Sequence, residues 1–317
     1  MANDMPMRQG YGLALADYGA ADDRVVVLDA DTSSSTLSRY FAERYPQRFI
    51  NVGIAEPCMV DVAVGLALEG WVPFVNGFAA LVALRALEQI RTCVAYARTN
   101  VKIAAGYAGL SDYKDGPTHH SITDIAILRA IPEMTVIVPA DAAEAAAWVP
   151  LVAAYDGPVY LRLSRAATVA VHEQGQALAI GRGIVRRPGA DVTLVSAGAM
   201  VGRSLLAAGE LAREGIDARV LELHTIKPLD RDLILQAAEE TGALVSAEEH
   251  SVVGGLGGAV AEALCDGRPV PLERVGVQDT FTRTAPDPDS LMDACGLAVG
   301  DITAAAKRAL RRKEART

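Results

Sequence analysis

Short β-branched runs alternate with longer Ala/Leu-rich segments along most of the chain. That alternation predicts parallel sheets covered by helices. Candidate strands fall at 24–28, 72–75, 101–105, 135–138 and 159–163, with helical patterns at about 8–19, 36–45, 57–69, 79–98, 121–130 and 141–154. Pro57 suits the first turn of a helix, where a missing N–H costs little, and Asp141 suits a helix cap. The rhythm stops after Arg165, where AATVAVHEQGQALAIGRGIVRRPGAD mixes turns with a hairpin-like piece and holds no long helix. It then resumes with strands at 192–196, 218–223 and 243–247 and helices at about 201–214, 230–240 and 256–265. The pattern predicts an α/β fold of two doubly wound domains, 1–180 and 181–317, with no internal repeat.

Composition narrows the class. The 317 residues leave room for two cores, and 51% apolar with 22% charged residues is the balance of a globular chain. No apolar stretch reaches the ~20 residues of a membrane helix, and MANDMPMRQG lacks the basic start and apolar run of a signal peptide. The expected location is the cytoplasm. The net charge is −9, and basic residues gather only in the tail KRALRRKEART, which reads as a solvated helix end. Nucleic acid is not an expected partner. Cys58, Cys93, Cys265 and Cys295 are scattered, without a C-x-x-C pair or a His at metal spacing, and are expected to be buried thiols in a reducing compartment.

Four segments carry candidate chemistry. In NVGIAEPCMV, Glu56 sits at a helix start among apolar neighbours. It either stabilises that start or is a carboxyl whose pKa is raised by its setting, as proton transfer near neutral pH requires. In DGPTHHS, the turn-forming Asp115-Gly116-Pro117 leads through Thr118, His119 and His120 into a helix near Ser121. Two histidines and an aspartate at one turn are either structural or a site, and their spacing does not suit zinc. In PFVNGFAALVALRALEQIR, Phe78, Leu81, Leu84 and Leu87 follow helical spacing and read mostly as a core face, with Phe78 at the strand end where open α/β sheets bind ligands. In EEHSVVGGLGGAVAEAL, a Gly-rich turn enters a helix without a G-x-G-x-x-G or a Walker lysine; it reads as a tight helix entry, possible also at a subunit contact.

Taken in order, I-A-E-P, D-G-P-T-H and Y-L-R-L-S-R resemble the transketolase family over nearly the whole chain. The resemblance implies a thiamine-diphosphate pyrimidine-binding fold followed by a transketolase C-terminal-like domain. The family's G-D-G…N domain, which holds the diphosphate and its metal, has no counterpart in the sequence. The implied protein is therefore the C-terminal subunit of a split transketolase, paired with an N-terminal subunit in an α2β2 heterotetramer. The implied cofactors are thiamine diphosphate and Mg2+, the metal and diphosphate lying mainly on the partner. The implied reaction is ketol transfer from a ketose or ketose phosphate to an aldose.

By the same resemblance, Glu56 is the glutamate that hydrogen-bonds the aminopyrimidine and promotes its imino form, with Phe78 packed around that ring. His119 moves protons at substrate hydroxyls, and Asp115 reads a sugar hydroxyl. Arg8, Ser35 and Arg165 hold the sugar phosphate. Leu81 stands where the family usually has a second aromatic, and Tyr107 where it usually has a phosphate-binding histidine. A sulfonated, branched or otherwise unusual sugar is compatible with this. The rival readings are the β subunit of a 2-oxo acid dehydrogenase and a non-catalytic partner subunit; deoxyxylulose-phosphate synthase is normally one long chain.

Overall fold

The computed structural model describes residues 5–173 and 175–315. Twelve strands form two sheets among them. In the first half these are β1 (Val25–Asp29), β2 (Phe49–Asn51), β3 (Val72–Phe78), β4 (Lys102–Gly106), β5 (Thr135–Ile137) and β6 (Val159–Arg162). The second half supplies β7 (Ile184–Arg187), β8 (Val192–Ser196), β9 (Ala218–Glu222), β10 (Thr225–Lys227), β11 (Leu244–Ser251) and β12 (Leu272–Val277). The larger sheet runs β10-β5-β6-β4-β3-β1-β2 and the smaller β12-β11-β8-β9-β7. All pairs are parallel except β10 on β5 and β7 on β9. Thus β10, from the second half, closes an edge of the first half's sheet.

The helices of the first half are α1 (Met7–Tyr18), α2 (Ser33–Thr36), α3 (Arg39–Arg44), α4 (Glu56–Leu68), α5 (Ala79–Arg85), α6 (Leu87–Gln89), α7 (Asp124–Ala130) and α8 (Ala142–Ala154). Those of the second are α9 (Met200–Arg213), α10 (Arg231–Thr241), α11 (Leu256–Asp266), α12 (Pro288–Ala294) and α13 (Val299–Glu314). Strand alternation splits the first sheet's side chains between two cores. Val26 and Leu28 pack with residues of α4 and α5, whereas Val25 and Val27 pack with residues of α1 and α8. A third core lies between α9, α13 and the second sheet.

Several expectations need correction. The helix expected over 36–45 is two short helices, because Leu37 takes a left-handed backbone (φ 65°) between them. Asp29 draws that loop inward by accepting from Thr32, Thr36 and Ser38. The helix expected over 79–98 breaks at Ala86 and ends as a π-helix, Ile90–Tyr96. The helix expected near Ser121 starts at Asp124, since the Ser121 carbonyl instead accepts from Gly109 N and Arg162 Nη2. The Leu81, Leu84, Leu87 row is only in part a core face: half-buried Leu87 packs on the core, Leu81 is half-buried and Leu84 is 55% exposed, while Val82, Ala83, Ala86 and Ile90 fill the core. Nor are the cysteines buried. Cys58 and Cys265 lie on outward faces of α4 and α11 and are exposed; Cys93 and Cys295 are half-buried.

The tail does form a helix end, with Arg311 and Arg312 exposed and Lys313 donating to the Thr241 carbonyl; Arg316 and Thr317 lie outside the described residues, as do residues 1–4 of the leader reading. No helix among the described residues is long and apolar enough to cross a membrane.

Between the halves lies a buried polar cluster. Glu144 of α8 accepts from Ala140 N (2.6 Å) and Trp148 Nε1 (3.1 Å). Burial and the neighbouring Glu222 push the Glu144 carboxyl well up. Glu222 in turn pairs with Arg186 of β7. His224 stacks edge-on to Trp148, and burial, with Arg186 and His172 nearby, lowers it to about 4.

Candidate active site

The carboxyl ends of β1, β3 and β4 and the turn after β6 meet along one edge of the larger sheet, where open α/β sheets place their ligand crevices. In register, Phe78 of β3 lies opposite Gly106 of β4, so the next residue, Tyr107, stacks on the Phe78 ring with centroids 4.4 Å apart. Tyr107 holds a left-handed backbone (φ 58°), an uncommon conformation for a bulky residue and one that collects at functional sites. Arg8, in the first turn of α1, donates Nη1 to the Tyr107 hydroxyl (3.0 Å) and the Ser35 carbonyl (2.7 Å). Arg165, just past β6, lies 5.0 Å from the Tyr107 ring centroid and 5.9 Å from that of Tyr113. His119, half-buried, turns its edge to Phe78 (5.9 Å) and keeps Nδ1 3.0 Å from the Thr118 hydroxyl.

The structure therefore gathers Arg8, Phe78, Tyr107, His119 and Arg165, with Ser35 entering through its carbonyl. Asp115 is exposed on the adjoining loop, with its carboxyl toward Asp112. Asp112 was missed by sequence reasoning. Its side chain is fully buried, Oδ1 lies 2.5 Å from Arg165 Nη1, and Oδ2 has no partner among the described residues. Burial and Asp115 push its carboxyl up, against the pull of Arg165. An acidic residue three positions before Asp115 was the available signal.

The two histidines separate. His120 is buried, with Nε2 2.9 Å from the Asp112 carbonyl and Nδ1 2.5 Å from the Thr282 hydroxyl, and burial lowers its pKa. It ties the loop to the second half of the chain. Y-L-R-L-S-R divides likewise. Arg162 is buried and bonds Asp124 (2.8 Å) and the carbonyls of Ser121 and Glu249, while Arg165 alone reaches the site. Burial alone would raise the Asp124 carboxyl, but Arg162 and His250, with bonds from Arg162 and Tyr160, hold it below the usual range.

Glu56 opens α4 and is 2% exposed, with Pro57 in the same first turn. Both carboxylate oxygens lie 3.2 Å from Arg85 Nη1 at the end of α5. The apolar sequence neighbours of Glu56 gave no hint of this cation, which comes from 29 residues away. Leu81 is half-buried on α5, which packs on α4.

The Gly-rich turn is a helix entry. Glu248 accepts from the first N–H groups of α11, Leu256 N (2.6 Å) and Gly257 N (2.8 Å), so those donors are already taken. A Cβ at Gly255 would fall 2.0 Å from Glu248 Oε2, which explains the glycine. Among the described residues, no group of three or more His, Cys, Asp or Glu could hold a metal ion.

Comparison with known proteins agrees with this layout. The profile "Transketolase, pyrimidine binding domain" matches residues 3–169 and "Transketolase, C-terminal domain" matches residues 181–302. A 6-deoxy-6-sulfo-D-fructose transketolase subunit of Clostridium sp. (strain MSTE9) is 43% identical over 310 residues, covering 98% of this chain and 96% of its own. An apulose-4-phosphate transketolase subunit from Phocaeicola vulgatus is 38% identical over 281 residues, 88% of this chain and 90% of its own. Among solved structures, a split-gene transketolase described as an inactive β4 tetramer superposes with a TM-score of 0.89 at 43% identity, covering 98% of this chain and 100% of the other. The transketolase from Leishmania mexicana shares the fold (TM-score 0.83) at 24% identity, over 97% of this chain and 46% of its own.

Proposed function

The chain belongs to the transketolase family, and from that premise we propose that it is one subunit of a two-subunit enzyme moving a two-carbon ketol unit from a ketose to an aldose. The observation that carries this reading is the Glu56 carboxylate, buried at a helix start with Arg85 as its hydrogen-bond partner. A carboxylate offers about four acceptor positions, so Glu56 has capacity left for a ring N–H. Half-buried Phe78 and Leu81 offer the apolar surface that a flat heterocycle packs on. These residues fit the aminopyrimidine of thiamine diphosphate, the cofactor the family implies.

When bound, that cofactor supplies the electron sink that lets the carbon–carbon bond beside a carbonyl break. Glu56 would hold a ring nitrogen of the pyrimidine and set its protonation. His119, at the mouth of the site, would take and return protons at substrate hydroxyls, and Asp115 would accept a hydrogen bond from a sugar hydroxyl. Arg8, Tyr107, Arg165 and Ser35 would grip the far end of the sugar. We assign the diphosphate and Mg2+ contacts to an N-terminal partner subunit, in an α2β2 assembly in the cytoplasm. Residues 1–180 would act as the pyrimidine-binding domain and 181–317 as the C-terminal domain. Leu84 and Phe281, 55% and 88% exposed, line one groove and support a docked partner there. The two split relatives are named for different sugars, a sulfofructose and a phosphorylated apulose, so ketol transfer is the common element.

The test is reconstitution with a subunit carrying the G-D-G…N domain. The chain alone is expected to be inactive and to bind thiamine diphosphate poorly by calorimetry, and the complex to convert a ketose phosphate but not pyruvate. Glu56→Ala should reduce turnover by at least ~10³-fold while assembly persists. Full activity in that variant, or turnover of pyruvate in place of the sugar, would defeat the reading.

A further inference from the structure

The proposed sugar grip contains two guanidiniums, and their charges are not equally free. Arg165 is matched at 2.5 Å by the fully buried Asp112 carboxylate, and its plane lies near the Tyr107 and Tyr113 rings. Arg8 has no carboxylate partner among the described residues. Its Nη1 bonds a carbonyl and a phenol, and its Nε is buried without a partner. Between them stands Tyr107, which can donate or accept one hydrogen bond and carries no positive charge near neutral pH.

The other titratable groups around this end are Lys114, Asp115, His119 and His120. Lys114 is exposed, its ammonium 5.4 Å from the Tyr113 ring, so water and salt screen it. Asp115, exposed too, turns its carboxyl toward Asp112 and, after burial, helps push that carboxyl up against the pull of Arg165. His119 stands half-buried at the Phe78 edge. His120 faces Asp112 from the other side but is buried, bonded at both nitrogens and lowered in pKa by that burial. Among the described residues at this end, Arg8 is the one half-buried guanidinium without a carboxylate partner.

We infer that Asp112 is a specificity-determining residue: by neutralising Arg165 it sets this end of the site for a sugar whose terminal group bears one negative charge, a sulfonate, in preference to a phosphate dianion. The inference rests on the ketol-transfer reading for the identity of the ligand as a sugar. Its physical basis is charge balance. A monoanion answers Arg8 and takes hydrogen bonds from Tyr107 and the open side of Arg165, whereas a second negative charge would face a guanidinium already paired with a carboxylate.

The test compares two aldoses that differ only in a terminal sulfonate or phosphate, titrated calorimetrically into the reconstituted complex. At pH 8 the sulfonate should bind at least tenfold tighter. The gap should narrow at pH 5.5, because phosphate monoesters lose their second charge near pH 6 while a sulfonate does not titrate there. Asp112→Asn, nearly isosteric and still able to accept from Arg165, should shift the ratio about tenfold toward phosphate at pH 8. Tighter phosphate binding by the native complex at pH 8, a ratio unmoved by Asp112→Asn, or no binding of either sugar would each overturn the inference. Because binding is read apart from turnover, a complex that binds with this preference yet transfers no ketol unit would refute the reaction and leave the charge rule standing.

Discussion

At residue scale, His119 and His120 adjoin in the chain yet meet different surroundings. His120 fills a buried position between the Asp112 carbonyl and Thr282, whereas His119 is half-buried at the edge of Phe78. His120→Ala is expected to cost about 1–3 kcal/mol in denaturant unfolding, since the buried Asp112 carbonyl and the half-buried Thr282 hydroxyl lose their partner. His119→Ala should leave stability nearly unchanged and lower turnover of the complex about 10²–10³-fold. Equal effects of the two changes on both measurements would contradict this division. His119 and Arg165 are legible because they stand in D-G-P-T-H and Y-L-R-L-S-R, Arg8 and Phe78 match the family as single positions, and Tyr107 departs from it; the structure brings all five together. Arg85 and Asp112 are not legible in this way. The Glu56–Arg85 and Asp112–Arg165 pairs join residues 29 and 53 positions apart, and apart from the acidic residue before Asp115 no local feature announces a partner.

At the scale of elements, starts of helices were easier to read than their interruptions. Asp141 caps α8 as expected, accepting from Glu144 N at 2.8 Å. Its second oxygen also accepts from Val171 N (2.6 Å) and His172 N (2.7 Å), anchoring the segment between the halves, a role no capping pattern could reveal. Asp141→Ala is therefore expected to destabilise by about 2–4 kcal/mol, against about 1 kcal/mol for Asp287→Ala, an exposed cap with a purely local partner. Thermal unfolding of the two variants side by side checks the contrast. The break at Leu37 and the π-helix after Gln89 escaped notice because the apolar rhythm continues through both. β2 and β10 are three residues long and lack the continuous β-branched run, 135–138, that marked the equally short β5, and β12 mixes charge into its pattern, so none stood out as a strand.

At the scale of the whole molecule, the junction between the halves is polar and titratable. His224, lowered to about 4 from 6.5, binds fewer protons folded than unfolded between those values. Its contribution to stability is fully present above pH 6.5 and is lost as the pH drops through that window, the loss reaching about 3 kcal/mol by pH 4. The nearby His172 is lowered too and acts in the same sense. Glu144, raised by burial and by Glu222, acts in the opposite sense: the fold retains its proton, and stability is lost as the pH rises above about 4.5. His224→Gln should flatten the acid limb of a stability-against-pH curve between pH 6.5 and 4, and an unchanged slope would show that His224 does not govern it.

The three residues of β10 have a consequence for how this polypeptide can be divided. They come from the second half but shield the outer flank of β5 in the first. A fragment cut near residue 180 would leave that flank as a bare row of amides and carbonyls, ready to zip onto another copy of itself. A cut between the halves would thus make a sticky protein rather than a tidy module, and any fragment meant to stay dispersed has to carry residues 225–227 with it.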